Sequence, residues 1–219
     1  MDKREKLGLP KYTLGEELVN SISHGLGAAF GVVALVLCVV FSAKSGDAWK
    51  VVSSSVYGAS MILLYTISTL YHALGINRAK AVFRTLDHCT IYFLIAGTYT
   101  PYTLVSMRGP VGFTVFGVVW AAAICGIVFN AINVRKFRKL SMILYIATGW
   151  AVIFSVKTLI ATVSPVGIWL LLAGGVLYTI GAVLYGVGKK KKYMHSVFHF
   201  FALGGSVCHF ISIFAYVIL

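Results

Sequence analysis

Two pairs of residues set one helical turn apart are the first candidates for chemistry. In HSVFH, His195 and His199 stand at i and i+4, which on a helix places both imidazoles on one face about 6 Å apart along the axis. STLYH repeats the spacing with Ser68 and His72. Three imidazoles from two helices can hold one ion and leave a coordination position open, the arrangement of a catalytic zinc rather than of a closed structural site. Of the six acidic residues, Asp87 is the one placed to assist such a centre, by orienting a histidine or accepting a hydrogen bond from a water on the metal. The same pattern is also compatible with histidines that only make hydrogen bonds between helices.

The elements that must position these residues are membrane spans. Of the 219 residues, 59% are hydrophobic and 11% charged, whereas a soluble domain carries about 25% charged residues. A span needs about 20 mostly apolar residues, and apolar runs occupy residues 18–42, 51–73, 84–105, 111–134, 140–161, 166–187 and 195–219. The breaks between them are too short to hold a soluble domain, so neighbouring helices pack antiparallel. The expected fold is an all-α, seven-transmembrane helix bundle over residues 18–219, preceded by a polar tail over residues 1–17.

The net charge of +13 then reports orientation. Lys3, Arg4, Lys6 and Lys11 lie in the tail; Arg78, Lys80 and Arg84 in the second break; Arg135, Lys136, Arg138 and Lys139 in the fourth; Lys189, Lys190, Lys191 and Lys192 in the sixth. Only Lys44, Lys50, Arg108 and Lys157 fall on the other side. The positive-inside bias places the N-terminus in the cytoplasm and the C-terminus outside. A nucleic-acid partner is not expected, and membrane lipids are. This orientation brings His72, Asp87, His88, His195 and His199 to the cytoplasmic ends of three spans, in one layer of the inner (plasma) membrane.

Other polar and punctuating residues divide less cleanly. Glu16, Glu17, Asn20 and His24 open the first span on the same side; they read equally as a hydrogen-bonded lid and as acids complementing a helix N-terminus. His88 points about 100° away from Asp87, and His209 lies about 15 Å beyond His199, too far for the same ion. Gly27 and Gly31 form a GxxxG that reads at most as a close-packing seam. Pro101 is expected to bend the third span, with Thr98 or Thr100 compensating freed backbone groups. Cys38, Cys89, Cys125 and Cys208 are isolated in apolar runs and have no disulfide-framework spacing.

With EELVNSISHG, STLYH, LDHCTIYFLIAGTYTP and HSVFH in this order, the chain resembles the haemolysin III family, the bacterial branch of the progestin and adipoQ receptor superfamily. The resemblance runs from about Glu16 nearly to the end. It implies a cytoplasm-facing zinc held by His72, His195 and His199, with Ser68 and Asp87 matching positions that support a water on the zinc. Superfamily members resemble ceramide hydrolases, so the expected reaction is zinc-assisted hydrolysis of a lipid amide or ester. A pore-forming cytolysin, which the family name implies, fits the sequence less well, because no amphipathic segment stands ready to insert. A non-enzymatic sensor of membrane lipid state is a third reading. A retinal pump is set aside, since residues 196–219 contain no lysine.

Overall fold

A computed structural model describes residues 3–188 and 191–219. Lys189 and Lys190, half of the basic run assigned to the cytoplasmic side, lie outside the described residues. α1 (Lys3–Lys6) is one helical turn; α2 (Leu14–Lys44), α3 (Ala48–Ala73), α4 (Arg78–Pro101), α5 (Pro110–Asn133), α6 (Arg138–Gly149), α7 (Val156–Thr162), α8 (Pro165–Val187) and α9 (Met194–Ile213) follow. A 3-10 turn, Ala151–Ser155, joins α6 to α7, and π-helical turns at Tyr102–Ser106 and Phe214–Ile218 extend α4 and α9. The described residues form no strand, so the fold is all-α.

Six stretches are long and apolar enough to cross a membrane: Leu14–Lys44, Ala48–Ala73, Pro110–Asn133, Arg138–Thr162, Pro165–Val187 and Met194–Ile218. The chain is a multi-pass membrane protein. α4 falls where the third span was expected, at residues 84–105, but it is not among these six: it carries Arg78, Lys80, Arg84 and Asp87 and is the least apolar of the long helices. It packs between α3 and α5, and 12 of its 24 residues are buried. A helix enclosed by other helices does not need an apolar exterior.

The distribution of side chains is inverted relative to a soluble protein. On α2, Glu16, Asn20, Ser23, Gly27, Gly31, Ala34 and Cys38 recur every three or four residues and are buried, while Leu18, Ile22, Leu26, Val33 and Val40 face outward. Polar groups turn inward because hydrocarbon offers them no hydrogen bond. α2 starts four residues before the apolar run, at a capping box: Thr13 Oγ1 accepts from Glu16 N at 3.3 Å and the Glu16 carboxylate accepts from Thr13 N at 2.8 Å.

Contacts at the two ends of the bundle sort the connections. At one end the tail reaches three of them: Arg84 donates to Gly8 O at 2.6 Å, Gly8 packs against the Arg135 guanidinium, and Tyr193 N donates to Glu16 Oε1 at 2.8 Å. At the other, Arg108 pairs with Asp47 at 2.7 Å and Lys50 donates to the Ile218 carbonyl at 2.6 Å. The basic breaks therefore share one end.

Close approach between helices depends on glycine. Gly27 and Gly31 lie against Tyr65 and Ile62 of α3, so the GxxxG is a packing seam within the chain. On α8, Gly167, Gly174 and Gly181 recur every seven residues and admit Tyr216, His209 and Phe201 from the last helical segment. Pro101 ends α4 rather than bending it. Thr98 and Thr100 hydroxyls donate to Leu94 O and Ala96 O, both at 2.8 Å, not to the Gly97 carbonyl that the proline ring frees. The broken span α6–α7 is patched by Tyr99, whose hydroxyl donates to Gly149 O and accepts from Val152 N, both at 2.8 Å.

Gly126 of α5 sits against the fully buried Tyr92 ring of α4, which a Cβ would overlap, whereas Gly117 faces open space. Gly126→Ala is therefore expected to cost about 1–3 kcal/mol through overpacking and to lower the melting temperature of the detergent-solubilised protein. Gly117→Ala, whose methyl meets nothing, leaves it unchanged or raises it in the same assay.

Candidate metal centre

His72 ends α3 and His195 begins α9, both at the tail side of the bundle, and His199 follows one turn into α9. The packing of α2 on both α3 and α9 brings their Nε2 atoms together. His195 Nε2 is 3.2 Å from His72 Nε2 and 3.1 Å from His199 Nε2, and all three ligand atoms lie within 4.8 Å of one another. His72 and His199 are buried and His195 is partly so. These three residues could hold a metal ion.

Hydrogen bonding behind the rings tests whether they fit one. His72 Nδ1 is 2.7 Å from Glu17 Oε2, and His199 Nδ1 is 3.3 Å from the Asn20 carbonyl. Both partners only accept, so each Nδ1 carries the proton and each neutral Nε2 presents a lone pair. Both lone pairs are directed at His195 Nε2, where a single N–H can serve only one of them. A cation among the three nitrogens satisfies all of them, and this donor set is the one such an ion needs.

α2 supplies most of the support. Glu17 also pairs with Lys80 Nζ at 2.8 Å, and that ammonium donates to the Leu74 carbonyl at 2.9 Å, closing the end of α3. Asn20 Oδ1 accepts from Ser196 Oγ at 2.6 Å, tying α2 to the turn of α9 that carries both histidines. Of the two readings of this polar face, the hydrogen-bonded one describes Glu17 and Asn20, while Glu16 combines both roles, capping α2 and receiving Tyr193 N. The carboxylate bonded to a cluster histidine is thus Glu17, while Asp87 lies beside His88. Glu17 sits at the acidic start of an apolar run, where cap and ligand support have the same sequence signature.

Ser68 and Asp87 border the same cavity as His195 and His199, an apolar space of about 200 Å³ enclosed chiefly by α4, α6, α8 and α9. Along α4 its wall runs from Asp87 to Tyr102, about 22 Å at 1.5 Å per residue. The Ser68 hydroxyl is buried with no hydrogen-bond partner. Asp87 is buried, with a carboxylate oxygen 3.7 Å from His88 Nδ1, while His88 Nδ1 donates to Arg84 O at 2.9 Å. His24 stacks flat on His199, ring centroids 3.5 Å apart. His209 is apart from the cluster, Nε2 donating to Leu171 O at 3.0 Å. Sequence reasoning did not single out Tyr12, which stacks on His195. Burial pushes its phenol well above the ordinary range, so it is a neutral ring at physiological pH. No spacing signal marks it, since it belongs to the polar tail.

Glu17→Gln keeps the shape of the side chain and removes the charge that fixes the His72 tautomer. Metal affinity is expected to fall about 10–100-fold, measured by competition with a chromogenic chelator on purified protein.

A sequence profile described as "Haemolysin-III related" matches residues 12–210. "Hemolysin-3" of Bacillus cereus is 42% identical over 214 residues, covering 98% of this chain and 97% of that protein. "Hemolysin-3 homolog" of Bacillus subtilis (strain 168) is 42% identical over 205 residues, covering 94% and 96%. The human "Monocyte to macrophage differentiation factor" is 25% identical over 217 residues, covering 95% and 87%. With most of its length matched by the profile and two bacterial relatives similar from end to end, the chain belongs to the haemolysin-III family.

Proposed function

We propose that the chain is a zinc-dependent hydrolase of a lipid amide or ester, acting at the cytoplasmic end of a seven-span bundle. The observation that carries this reading is the convergence of His72, His195 and His199 Nε2 beside an apolar cavity whose wall also holds Ser68 and Asp87. Nitrogens about 2.0–2.1 Å from a tetrahedral zinc lie about 3.3 Å apart, close to the 3.1 and 3.2 Å separations here. Bound there, zinc supplies a Lewis acid for a substrate carbonyl and brings the pKa of a coordinated water to about 7.

The chain's own groups do the rest. The apolar length of the cavity takes the hydrocarbon of a lipid, which aligns its headgroup linkage with the histidine end. Asp87 accepts the proton released by the attacking water and returns it to the leaving amine or alcohol. Ser68, whose hydroxyl has no partner within the protein, donates a hydrogen bond to the carbonyl oxygen as negative charge develops on it. Glu17 and Asn20 keep the imidazoles aimed. Burial of the site in the bundle limits competing water.

The seven-span count adds α4 to the six apolar stretches, and the N-terminus is placed in the cytoplasm. Support for that orientation comes from the basic residues of the tail, of the first two turns of α4 and of the α5–α6 and α8–α9 connections, which share one end of the bundle.

The test is metal content and lipid turnover on the same samples. Wild type is expected to hold one zinc per chain and His72→Ala, His195→Ala and His199→Ala to lose it. Asp87→Asn keeps the metal but drops turnover of a ceramide, acyl amide or phospholipid in liposomes by about 10²–10⁴-fold. Wild type with stoichiometric zinc and no turnover of any of these overturns the hydrolase and leaves a zinc-stabilised lipid sensor.

A further inference from the structure

Two of the three converging imidazoles are oriented from behind by hydrogen bonds, His72 by Glu17 and His199 by the Asn20 carbonyl. His195 has no such support: its Nδ1 is buried with no hydrogen-bond partner. It also stands in the first turn of α9, a helix that starts at Tyr193 in the left-handed region, with φ 62 and no side-chain cap. Backbone and hydrogen bonding therefore leave this ring the least constrained of the three. Aromatic rings surround it instead. Tyr12 stacks on it at 5.1 Å between centroids and 14° between planes. Tyr185 and Phe198 flank it at 5.2 and 5.9 Å with steeper tilts.

Tyr12 comes from outside the bundle, and the tail is fastened so as to hold it there. The Arg4 guanidinium donates to the Tyr12 carbonyl at 2.9 Å, and Arg84 donates to the Gly8 carbonyl at 2.6 Å. Leu9 is buried. Thr13, the next residue, is locked by the Glu16 carboxylate, whose other oxygen accepts the Tyr193 N–H two residues before His195. One side chain thus fixes both the residue after Tyr12 and the start of the helix that carries His195. The Tyr12 ring also lies 5.8 Å from that of His72, spanning the approach to the cluster from the tail side.

We propose that Tyr12 is a positioning residue for His195: the tail segment 8–13 is a cap whose aromatic ring holds the third imidazole in register with the two that hydrogen bonds already fix. The stacked ring limits rotation of His195 about its side-chain torsions and excludes water from its outer face. The inference rests on the metal reading above, and its test uses the metal as a probe rather than activity.

Detergent-purified wild type, Tyr12→Phe and Tyr12→Leu are loaded with Co²⁺, and the visible absorption spectrum and the rate of release to excess chelator are recorded. Tyr12→Phe keeps the ring and is expected to match wild type in both. Tyr12→Leu keeps apolar volume but cannot stack; it is expected to show a weakened, shifted tetrahedral-type spectrum and release at least about tenfold faster, the size of effect typical of lost ligand support. Arg84→Gln, which unfastens the cap at Gly8 and leaves Tyr12 itself intact, is expected to speed release in the same direction and stands in if the leucine variant does not fold. Wild-type spectrum and release rate in Tyr12→Leu, or in Arg84→Gln standing in for it, overturn the proposal. So does Tyr12→Phe behaving like Tyr12→Leu, which would assign the effect to the hydroxyl. Wild type that takes up no Co²⁺ overturns the metal reading itself, and the cap's role falls with it.

Discussion

Hydrocarbon cannot accept or donate a hydrogen bond, and the arrangement of this protein follows from that constraint. Each polar group at membrane depth must find its partner inside the bundle or face a cavity. The bundle accordingly has a polar interior and an apolar exterior: serines, tyrosines and histidines are buried while Leu18, Ile22, Val118, Ile124 and Phe154 face outward. The Tyr65 hydroxyl bonds the Ser206 hydroxyl at 2.7 Å, and Tyr178 bonds the same serine at 2.6 Å. Tyr102 bonds Ser212 at 2.6 Å, which in turn bonds Gly167 O at 2.7 Å. These bonds tie α3, α8 and α9 together where apolar surface alone would not distinguish helix from lipid.

At the tail end of the bundle, charge is handled the same way. Lys80 and Glu17 are a little-exposed ion pair at that end, with side chains 5% and 14% exposed. Such a pair is retained only where further hydrogen bonds satisfy both partners, and here His72 and the Leu74 carbonyl provide them. The pair closes the last turn of α3 and aims the imidazole at its end. Structural capping and ligand orientation are therefore one network, and the polar start of α2 is as much a part of the centre as the histidines.

The helical ladder is interrupted where the cavity needs it. Tyr102–Ser106 and Ala151–Ser155 depart from α-helical geometry, and Tyr102 and Val152 from these breaks, with Tyr99 and Trp150 just before them, line the deep part of the cavity. The first break is tolerated because Tyr102, Thr103 and Leu104 are buried in protein, and at the second, whose Phe154 faces outward, Tyr99 bonds both sides of the gap. Trp150, which donates to Thr179 on α8 at 3.0 Å, secures the broken span to its neighbour. Apolar depth coexists with an acid, a hydroxyl and the imidazoles at one end of the same cavity.

Much was legible in the sequence because a bilayer restricts the choices. Length and apolarity located six of the seven expected spans to within a few residues, and the distribution of lysine and arginine identified which connections share an end. The i, i+4 spacing of His195 and His199 put two ligands on one face, since helical periodicity is a local property. The seven-residue spacing of Gly167, Gly174 and Gly181 is equally present in the sequence, but which helix fills the space at a glycine is a matter of packing. Four things only the tertiary structure decided: that His72 completes the cluster at 3.2 Å, that Glu17 rather than Asp87 bonds to it, that Ser68 and Asp87 share a cavity with the site, and that Tyr12 lies on His195. Each depends on the rotation and depth at which α2, α3, α4 and α9 meet. Those are set by side chains interlocking across helices distant in the chain, and no local pattern of residues encodes them.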